Sequence, residues 1–258
     1  MRIQEISGHR TAQKIAGAAV ALAFAAVTFS PLAGADEMAA SKPSDSKWRV
    51  RARVIGVIPD DDSTNINVET PAGGRIPLNA GVKVDSAVVP EFDLTYMITP
   101  NIGIEAIAGM TNHDIKIDGT DATLAGLGAV DGFKIFDAWV LPPTVTLQYH
   151  FKPDAKFRPY VGFGVNYTAF LWNDATDNLE RAVGGPVDVD TSSSWGWAGQ
   201  FGFDYELSNN WFANFDVKYI DMDTIASLNM PTLLGGVGLR VKADINPWVV
   251  GAGIGYRF

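Results

Sequence analysis

From Trp48 to Phe258, the sequence repeatedly alternates large apolar side chains with small or polar ones. In WGWAGQFGFDYEL (residues 195–207), the odd positions are almost all large and apolar, whereas the even positions are glycine, alanine, glutamine or an acid. Because successive side chains of a β-strand point to opposite faces, this period of two predicts strands with one apolar and one polar face. Eight such segments are predicted, at residues 48–58, 86–99, 101–111, 138–152, 157–172, 192–207, 210–222 and 246–258.

The connections between these segments alternate strictly between short and long. The short ones are TPN (99–101), KPDAKF (152–157) and SNN (208–210), and the others, around residues 59–85, 112–137, 173–191 and 223–245, are long and polar. Short turns at one end and long loops at the other are typical of bacterial outer-membrane barrels, whereas a soluble sandwich gives no reason for this asymmetry. The sequence therefore predicts an all-β fold, an eight-stranded antiparallel transmembrane β-barrel.

Aromatic residues on the apolar faces gather at the two ends of the strands. A soluble core would place its largest rings centrally, but the two interfaces of a membrane select two aromatic girdles. Those near the short turns are Trp48, Tyr96, Tyr149, Phe151, Tyr205, Trp211, Tyr256 and Phe258, and those near the long loops are Trp139, Trp195, Tyr219 and Trp248.

The first 35 residues carry the pattern of a secretory signal peptide. A basic start precedes the apolar run AAVALAFAAVTF (18–29), and small residues follow at Ala33-Gly34-Ala35. We predict a signal peptide at residues 1–35, a flexible lead-in at 36–47 and the barrel at 48–258, in the bacterial outer membrane. The formal net charge of −9 argues against nucleic-acid binding, and a chain without cysteine can form no disulfide.

The polar faces of the strands should form the lumen of the barrel. The lumen of an eight-stranded barrel is narrow enough to be filled by side chains, and buried ions require partners. An ion-paired plug is therefore predicted. Its cations are Arg49, Arg51, Arg53, Lys218 and Arg257, and its anions are Glu91, Asp93, Glu105, Asp204, Glu206 and Asp216.

Inward positions nearer the long loops are apolar instead. This change predicts a hydrophobic vestibule above a charged floor. The alternative is that the same side chains simply pack the upper half of a small barrel. The predicted ligand-binding residues are Ile55, Val57, Val140, Phe170, Trp172 and Ile220.

Prolines interrupt two of the predicted strands. Pro90 lies in the second segment and Pro142-Pro143 in the fourth, and each proline removes a hydrogen bond from the ladder between strands. Both segments flank the third strand, which carries Gly109. Because a broken ladder is costly in lipid, these four residues predict a lateral opening in the wall. The alternative is a kink that shapes the rim of the barrel.

Several motifs resemble those of a known family. LPPTVTLQYHF (141–151), PYVGFGVNYTAF (159–170), RVIGVIPDD (53–61) and DINPWVVGAGIGYRF (244–258) are similar to segments of the OmpW family of outer-membrane proteins. The resemblance implies an eight-stranded barrel with a hydrophobic channel, linked to uptake of small hydrophobic molecules, and some relatives act in alkane import. Tyr256 and Phe258 resemble the C-terminal signal that the barrel assembly machinery reads.

No catalytic arrangement stands out in the sequence. After residue 35 the only histidines are His113 and His150, and neither belongs to a compact group of nucleophile, base and acid. We expect no enzymatic activity, no metal site and no cofactor. The expected function is passive uptake of small hydrophobic molecules with lateral exit into the membrane. The alternative is a non-transporting surface barrel that binds partners through its loops or stabilises the envelope.

The expected partners follow from the same interpretation. They are outer-membrane lipids and lipopolysaccharide, small hydrophobic compounds and, during biogenesis, the barrel assembly machinery. The protein itself is expected to be a monomer.

Overall fold

The computed structural model describes residues 47–119, 123–124, 128–129, 131–208, 210–233 and 235–258. The predicted signal peptide and all of the predicted lead-in except Lys47 lie outside these residues. Within them, the secondary structure consists of the helix α1 (Asp177–Val183) and of strands β1 (Trp48–Ile58), β2 (Asp62–Ser63), β3 (Asn67–Glu69), β4 (Arg75–Pro77), β5 (Gly81–Val84), β6 (Ala87–Met97), β7 (Ile102–Gly109), β8 (Thr111–Asp118), β9 (Thr123–Leu124), β10 (Gly128–Ala129), β11 (Lys134–Leu141), β12 (Thr144–His150), β13 (Phe157–Ala175), β14 (Asp188–Thr191), β15 (Ser194–Ser208), β16 (Trp211–Ile220), β17 (Asp223–Met230), β18 (Val237–Asp244) and β19 (Trp248–Arg257).

Eight long strands close into a ring. Their order is β1, β6, β7, β12, β13, β15, β16 and β19, and β19 pairs again with β1, all antiparallel. The start of β1 and the last residue of the chain meet at the short-turn side, where the Trp48 amide donates to the Phe258 carbonyl at 3.1 Å. The predicted eight-stranded antiparallel barrel is therefore confirmed.

The two faces of these strands differ as the alternation predicts. Trp195 on the outer face is 73% exposed, whereas Arg51 on the inner face is fully buried. Apolar residues such as Val54, Leu147 and Phe163 also point outward. An apolar exterior around a polar interior is the arrangement of a barrel that is surrounded by lipid. No helix in the described parts of the chain is long and apolar enough to cross a membrane.

Outward aromatic rings contact each other at both ends of the barrel. At the short-turn end, the centroids of Trp48 and Tyr96 lie 4.8 Å apart. At the long-connection end, Tyr219 and Trp248 lie 5.2 Å apart. Rings at these heights match the two interfaces of a membrane, which favour amphipathic aromatic side chains.

The long connections contain more β-structure than their polar sequences indicated. A second sheet joins β14, β17, β18, β3 and β4, and β2 pairs with the end of β18. Leu228 and Met230 of β17 and Leu239 and Val241 of β18 are buried in one apolar cluster with the residues of the upper lumen. The sequence predicts loops for these residues because they lie within long polar connections, although β17 and β18 alternate buried and more exposed residues as the barrel strands do.

Two of the predicted strands also continue beyond the barrel. β7 is followed directly by β8 across Met110, and β11 is followed by β12 across Pro142-Pro143. β8 pairs with β11 and with β5, so the wall rises above the ring of eight strands on this side. The third and fourth strands therefore reach farther than residues 101–111 and 138–152.

Gly202 on the inner face leaves room for the buried ring of Tyr160, which generates a testable prediction. A Cβ atom at Gly202 would lie 2.4 Å from the Phe215 carbonyl oxygen and 2.6 Å from the Tyr160 hydroxyl oxygen. Overpacking of this kind typically costs about 1–3 kcal/mol, so Gly202→Val should lower the free energy of unfolding by that amount. The measurement is a urea titration of the purified barrel, read from its folded and unfolded bands on a gel.

The control is Gly199→Val on the outer face of the same strand. A Cβ atom there meets the Trp197 ring at 3.4 Å and no closer atom. Its urea midpoint should stay near that of the wild type. Equal destabilisation by both variants would contradict the assigned faces of β15.

Candidate functional site

The lower lumen is filled by buried ion pairs. Arg51 donates to Thr95 Oγ1 at 2.7 Å and to Glu105 Oε1 at 2.8 Å. Its guanidinium also contacts both carboxylate oxygens of Asp204 at 3.3 Å. Arg49 lies 3.6 Å from Asp204 as well. Because all of these side chains are buried, their charges are compensated by each other rather than by water.

A second group of ion pairs lies above the first. Arg53 Nε donates to Glu91 Oε1 at 3.0 Å, and its Nη2 lies 2.7 Å from Asp93 Oδ2. Lys218 Nζ contacts Glu91 at 2.7 Å and Asp216 at 3.0 Å. The group connects β1, β6 and β16 across the lumen.

The remaining predicted charges lie at the periplasmic end. Glu206 contacts Arg158 at 2.9 Å and Arg257 at 3.3 Å. The structure thus brings the predicted charged residues together in a continuous floor, and it adds Arg158, which the sequence analysis did not select. Arg158 occupies an inward position in the alternation of its strand, so the same signal could have found it.

Uncharged residues complete this floor and were also missed. The Tyr160 hydroxyl donates to Asp216 Oδ2 at 2.7 Å, and Asn214 Nδ2 donates to Asp204 Oδ1 at 2.9 Å. The Arg51 guanidinium lies over the ring of Phe212, 5.5 Å from its centroid. An inventory of charges alone overlooks such partners, although each of them occupies an inward position.

Above the floor, the lumen contains a cavity. Its volume is about 50 Å³. A cavity of this size has room for roughly four water molecules. Ile107, Met222 and Val249 contribute to its apolar wall. Of the six predicted ligand-binding residues, those that line the cavity are Ile55, Val57, Val140, Phe170 and Ile220.

Trp172 is not among the described residues that line the cavity, in contrast to the prediction. Its ring packs edge-on against Trp139, with centroids 6.4 Å apart. The pairing of β11 with β13 shifts by one residue between Val140 and Ala138, so that Val140 faces Phe170 but Ala138 faces Asn173. This bulge changes which face Trp172 occupies, and alternation counted from Phe170 gives the wrong side.

The wall of the barrel is interrupted beside this cavity. Pairing of β6 with β7 ends at Glu91–Gly109. Pairing of β7 with β12 ends at Ile107–Thr144 and resumes as β8 with β11 at Thr111–Val140. The gaps coincide with Pro90 and with Pro142-Pro143, which have no N–H to donate. Gly109 and Pro142 line the cavity, so the interrupted wall and the cavity adjoin each other.

The other side of the proline pair remains bonded. The Pro143 carbonyl accepts from the Tyr167 amide at 3.0 Å, which keeps β12 attached to β13. The interruption is therefore confined to the two edges of the strand that carries Gly109.

His113 closes the upper end of one gap. Its Nδ1 lies 2.7 Å from the Asp85 carbonyl oxygen and its Nε2 lies 2.9 Å from Thr111 Oγ1. His113 lies on β8, beyond the eight membrane-spanning strands. Burial lowers the pKa of His113 below its ordinary value, against the opposite effect of the Asp85 carbonyl. The imidazole is therefore neutral at pH 7.

The predicted assembly signal lies on the outer surface at the short-turn end. The Tyr256 ring contacts Trp211 at 5.1 Å and Phe258 at 6.2 Å between centroids. Both residues are accessible from the lipid side, since 36% of Tyr256 and 51% of Phe258 is exposed.

A closed ring of eight antiparallel strands, with an ion-paired lumen and an apolar exterior, defines an outer-membrane β-barrel protein. The model of the OmpW family matches residues 45–258 of this chain. The chain belongs to the OmpW family and is a protein of the bacterial outer membrane.

Three comparisons illustrate this relationship. The uncharacterized outer-membrane protein y4mB of Sinorhizobium fredii (strain NBRC 101917 / NGR234) is 38% identical over 236 residues, which cover 92% of this chain and 90% of that protein. The crystal structure of the outer membrane protein OprG from Pseudomonas aeruginosa has a TM-score of 0.71 and 34% identity, covering 83% of this chain and 96% of that chain. The dibenzothiophene metabolism operon protein PahQ of Pseudomonas aeruginosa is 24% identical over 214 residues, 83% of this chain and 90% of that protein.

The ion-paired floor predicts a large difference between a buried and an exposed carboxylate. Asp204→Ala leaves the buried guanidinium groups of Arg49 and Arg51 without a main partner. Removing one partner of a buried pair should lower the free energy of unfolding by about 3–5 kcal/mol. Asp244→Ala removes an exposed partner of Lys242 and should change the urea midpoint little. Equal urea midpoints for the two variants would contradict the contribution to stability that is assigned to the buried ion pairs of the floor.

His113 predicts a dependence of stability on pH. Its pKa is lowered in the folded protein, so the neutral form stabilises the fold above the ordinary pKa of about 6.5, and this stability is lost as pH falls from there. The urea midpoint of the wild type should therefore decrease between pH 7.5 and pH 5.5 by more than that of His113→Gln. A histidine NMR signal that titrates at or above pH 6.5 would contradict this assignment.

Proposed function

We propose that this barrel mediates passive uptake of small hydrophobic molecules and releases them sideways into the membrane. The observation that carries the proposal is the apolar cavity of the upper lumen, which adjoins an interrupted wall and lies above an ion-paired floor. Binding and passage require no chemical step, so the proposed role is non-enzymatic.

The floor supports lateral rather than axial passage. The buried pairs formed by Arg51 and Arg53 occupy the lumen between the cavity and the periplasmic end. An apolar molecule that crossed this layer would have to separate these buried ion pairs. Because it offers the charges no polar partner in exchange, this separation is strongly unfavourable. The path of lowest cost from the cavity therefore leads to the lipid.

The gaps beside Gly109 offer that path. A Cβ atom built at Gly109 would meet Glu91 Cγ and the Pro90 carbonyl oxygen at 3.8 Å, so the glycine leaves a space of about one small group at the wall. Pro90, Pro142 and Pro143 limit the hydrogen bonds that must break for this space to widen. The lateral opening that we propose lies between these residues.

An apolar route also leads from the outside to the cavity. The buried cluster that contains Ile55 and Phe170 continues through Val82 of β5 to Leu228 and Met230 of the second sheet. A hydrophobic molecule can move between such side chains without losing contact with apolar surface. The name of the relative PahQ refers to the metabolism of dibenzothiophene, an uncharged aromatic compound, and the same chemical class suits this route.

The partners that we propose follow from the same picture. The exposed apolar face contacts outer-membrane lipids and, on the outer side, lipopolysaccharide. Tyr256 and Phe258 serve the barrel assembly machinery during biogenesis, and the finished barrel acts as a monomer.

The test of this function is transfer of an apolar dye into lipid. Purified protein is placed in vesicles with lipopolysaccharide in the outer leaflet, and dye arrival in the bilayer is followed by fluorescence. Gly109→Phe should slow the transfer at least tenfold, because the ring fills the space beside Pro90 and Glu91. Gly109→Ala, whose Cβ has only ordinary contacts, should keep most of the rate.

The matched control is Gly56→Phe. Gly56 lies on β1, and a Cβ atom added there would meet only the Val250 carbonyl oxygen, at 3.9 Å. It should transfer the dye like the wild type. If Gly56→Phe and Gly109→Phe were equally slow, the opening would not lie at Gly109. A wild-type rate equal to that of vesicles without protein would overturn uptake and favour a surface barrel.

A further inference from the structure

The cavity is not uniformly apolar. The polar side chains among its described lining residues are Glu91, Thr111, His113 and Thr144. Gly109 pairs with Glu91, and Thr111 and His113 follow Gly109 on the same inward face. Glu91, Thr111 and His113 therefore form a polar strip along one wall, at the height of the interrupted ladder.

The hydroxyl of Thr144 is already used within the wall. It donates to the Pro142 carbonyl at 3.0 Å and accepts from Asn166 Nδ2 at 2.9 Å. The polar strip is different, because His113 orients Thr111, and both Thr111 and Glu91 retain capacity to accept a further hydrogen bond.

The hydrogen bonds of His113 fix the direction of the Thr111 hydroxyl. The Asp85 carbonyl can only accept, so His113 Nδ1 carries a proton and donates to it at 2.7 Å. In the neutral imidazole, Nε2 is then an acceptor, and the Thr111 hydroxyl donates to it at 2.9 Å. The donor of Thr111 is committed, and its oxygen offers lone pairs to the cavity.

Glu91 also offers an acceptor. Its contacts with Arg53 and Lys218, among the described residues, both fall on Oε1, at 3.0 and 2.7 Å. The second carboxylate oxygen, Oε2, belongs to a side chain that lines the cavity and is 4% exposed. A carboxylate has about four acceptor sites, so Oε2 can accept from a molecule in the cavity.

We propose that this strip binds one hydroxyl group of an otherwise apolar ligand, so that the cavity selects small alcohols over plain hydrocarbons of the same size. The inference rests on the proposed function and specifies its ligand. The hydroxyl donates to Glu91 or to Thr111, and the hydrocarbon part contacts Ile55, Ile107 and Ile220.

The charges around Glu91 favour a neutral donor. Arg53 and Lys218 already compensate the carboxylate, so an ammonium group would meet two cations at close range. A ligand carboxylate would meet Glu91 itself. A hydroxyl avoids both repulsions and gains a hydrogen bond to a charged acceptor, which is stronger than one to a neutral acceptor.

The experiment compares 1-butanol with n-pentane, which have the same number of heavy atoms. Isoleucine methyl groups are labelled for NMR in protein held in lipid nanodiscs. Ile55, Ile107 and Ile220 report binding in the cavity, and Ile104 and Ile254 on the exposed outer face report partitioning into lipid. After correction for partitioning, the wild type should bind 1-butanol at least tenfold more tightly than n-pentane.

Variants then test the polar strip itself. Thr111→Val keeps the shape of the side chain but removes its acceptor, and it should reduce the preference for 1-butanol at least threefold. Thr111→Ser keeps the hydroxyl and should preserve the preference. Glu91→Gln, which replaces one carboxylate oxygen by an amide donor, should reduce it as well.

The outcomes separate the two proposals. Equal binding of both ligands by the wild type would overturn the hydroxyl site and leave hydrophobic uptake in place, without reliance on any variant. An unchanged preference in Thr111→Val and Glu91→Gln would also overturn the polar strip. Shifts confined to Ile104 and Ile254 with both ligands would overturn the proposed function together with this inference.

Discussion

The pairing of charges in a buried lumen is the constraint on which the rest of this structure depends. Arg51 contacts carboxylates from β7 and β15, and Arg53 contacts carboxylates from β6. Each ion would cost several kcal/mol to bury alone, so the fold is favourable only when the contributing strands are in register around the ring. The same layer separates the cavity from the periplasmic end. This separation is what favours lateral exit in the function that we propose.

The wall obeys a second constraint, since backbone groups in lipid must be paired within the protein. Pro90 and Pro142-Pro143 break this rule on both edges of one strand, beside the cavity. The cost is limited because Pro143 still accepts from Tyr167 and because His113 bonds to the Asp85 carbonyl above the gap. An interruption that is bounded by such bonds is weaker than the rest of the ring without being disordered. This is the physical argument for the lateral path that we propose.

The sequence predicted most of the barrel and part of the site. Strict alternation placed Arg53 and Glu91 in the lumen and Ile55 and Ile220 in the upper part, and the structure brings them into the floor and the cavity wall. The alternation placed Trp172 on the wrong face, because β11 and β13 pair with a bulge. Contacts between strands set such a bulge, and the period-two pattern of the sequence does not reveal it. The strands of the second sheet were missed because they lie within long polar connections, although β17 and β18 alternate as the barrel strands do.

The sequence by itself determined the fold class and the layers of the lumen, because alternation and the lengths of the connections are local properties. Only the tertiary structure decided which charge meets which partner, that the upper lumen contains a cavity, and that His113 bonds to the Asp85 carbonyl. These features join atoms from strands that are distant in the chain, such as Arg51 and Asp204, which lie 153 residues apart. Their geometry depends on register and bulges, which are fixed only when the ring closes.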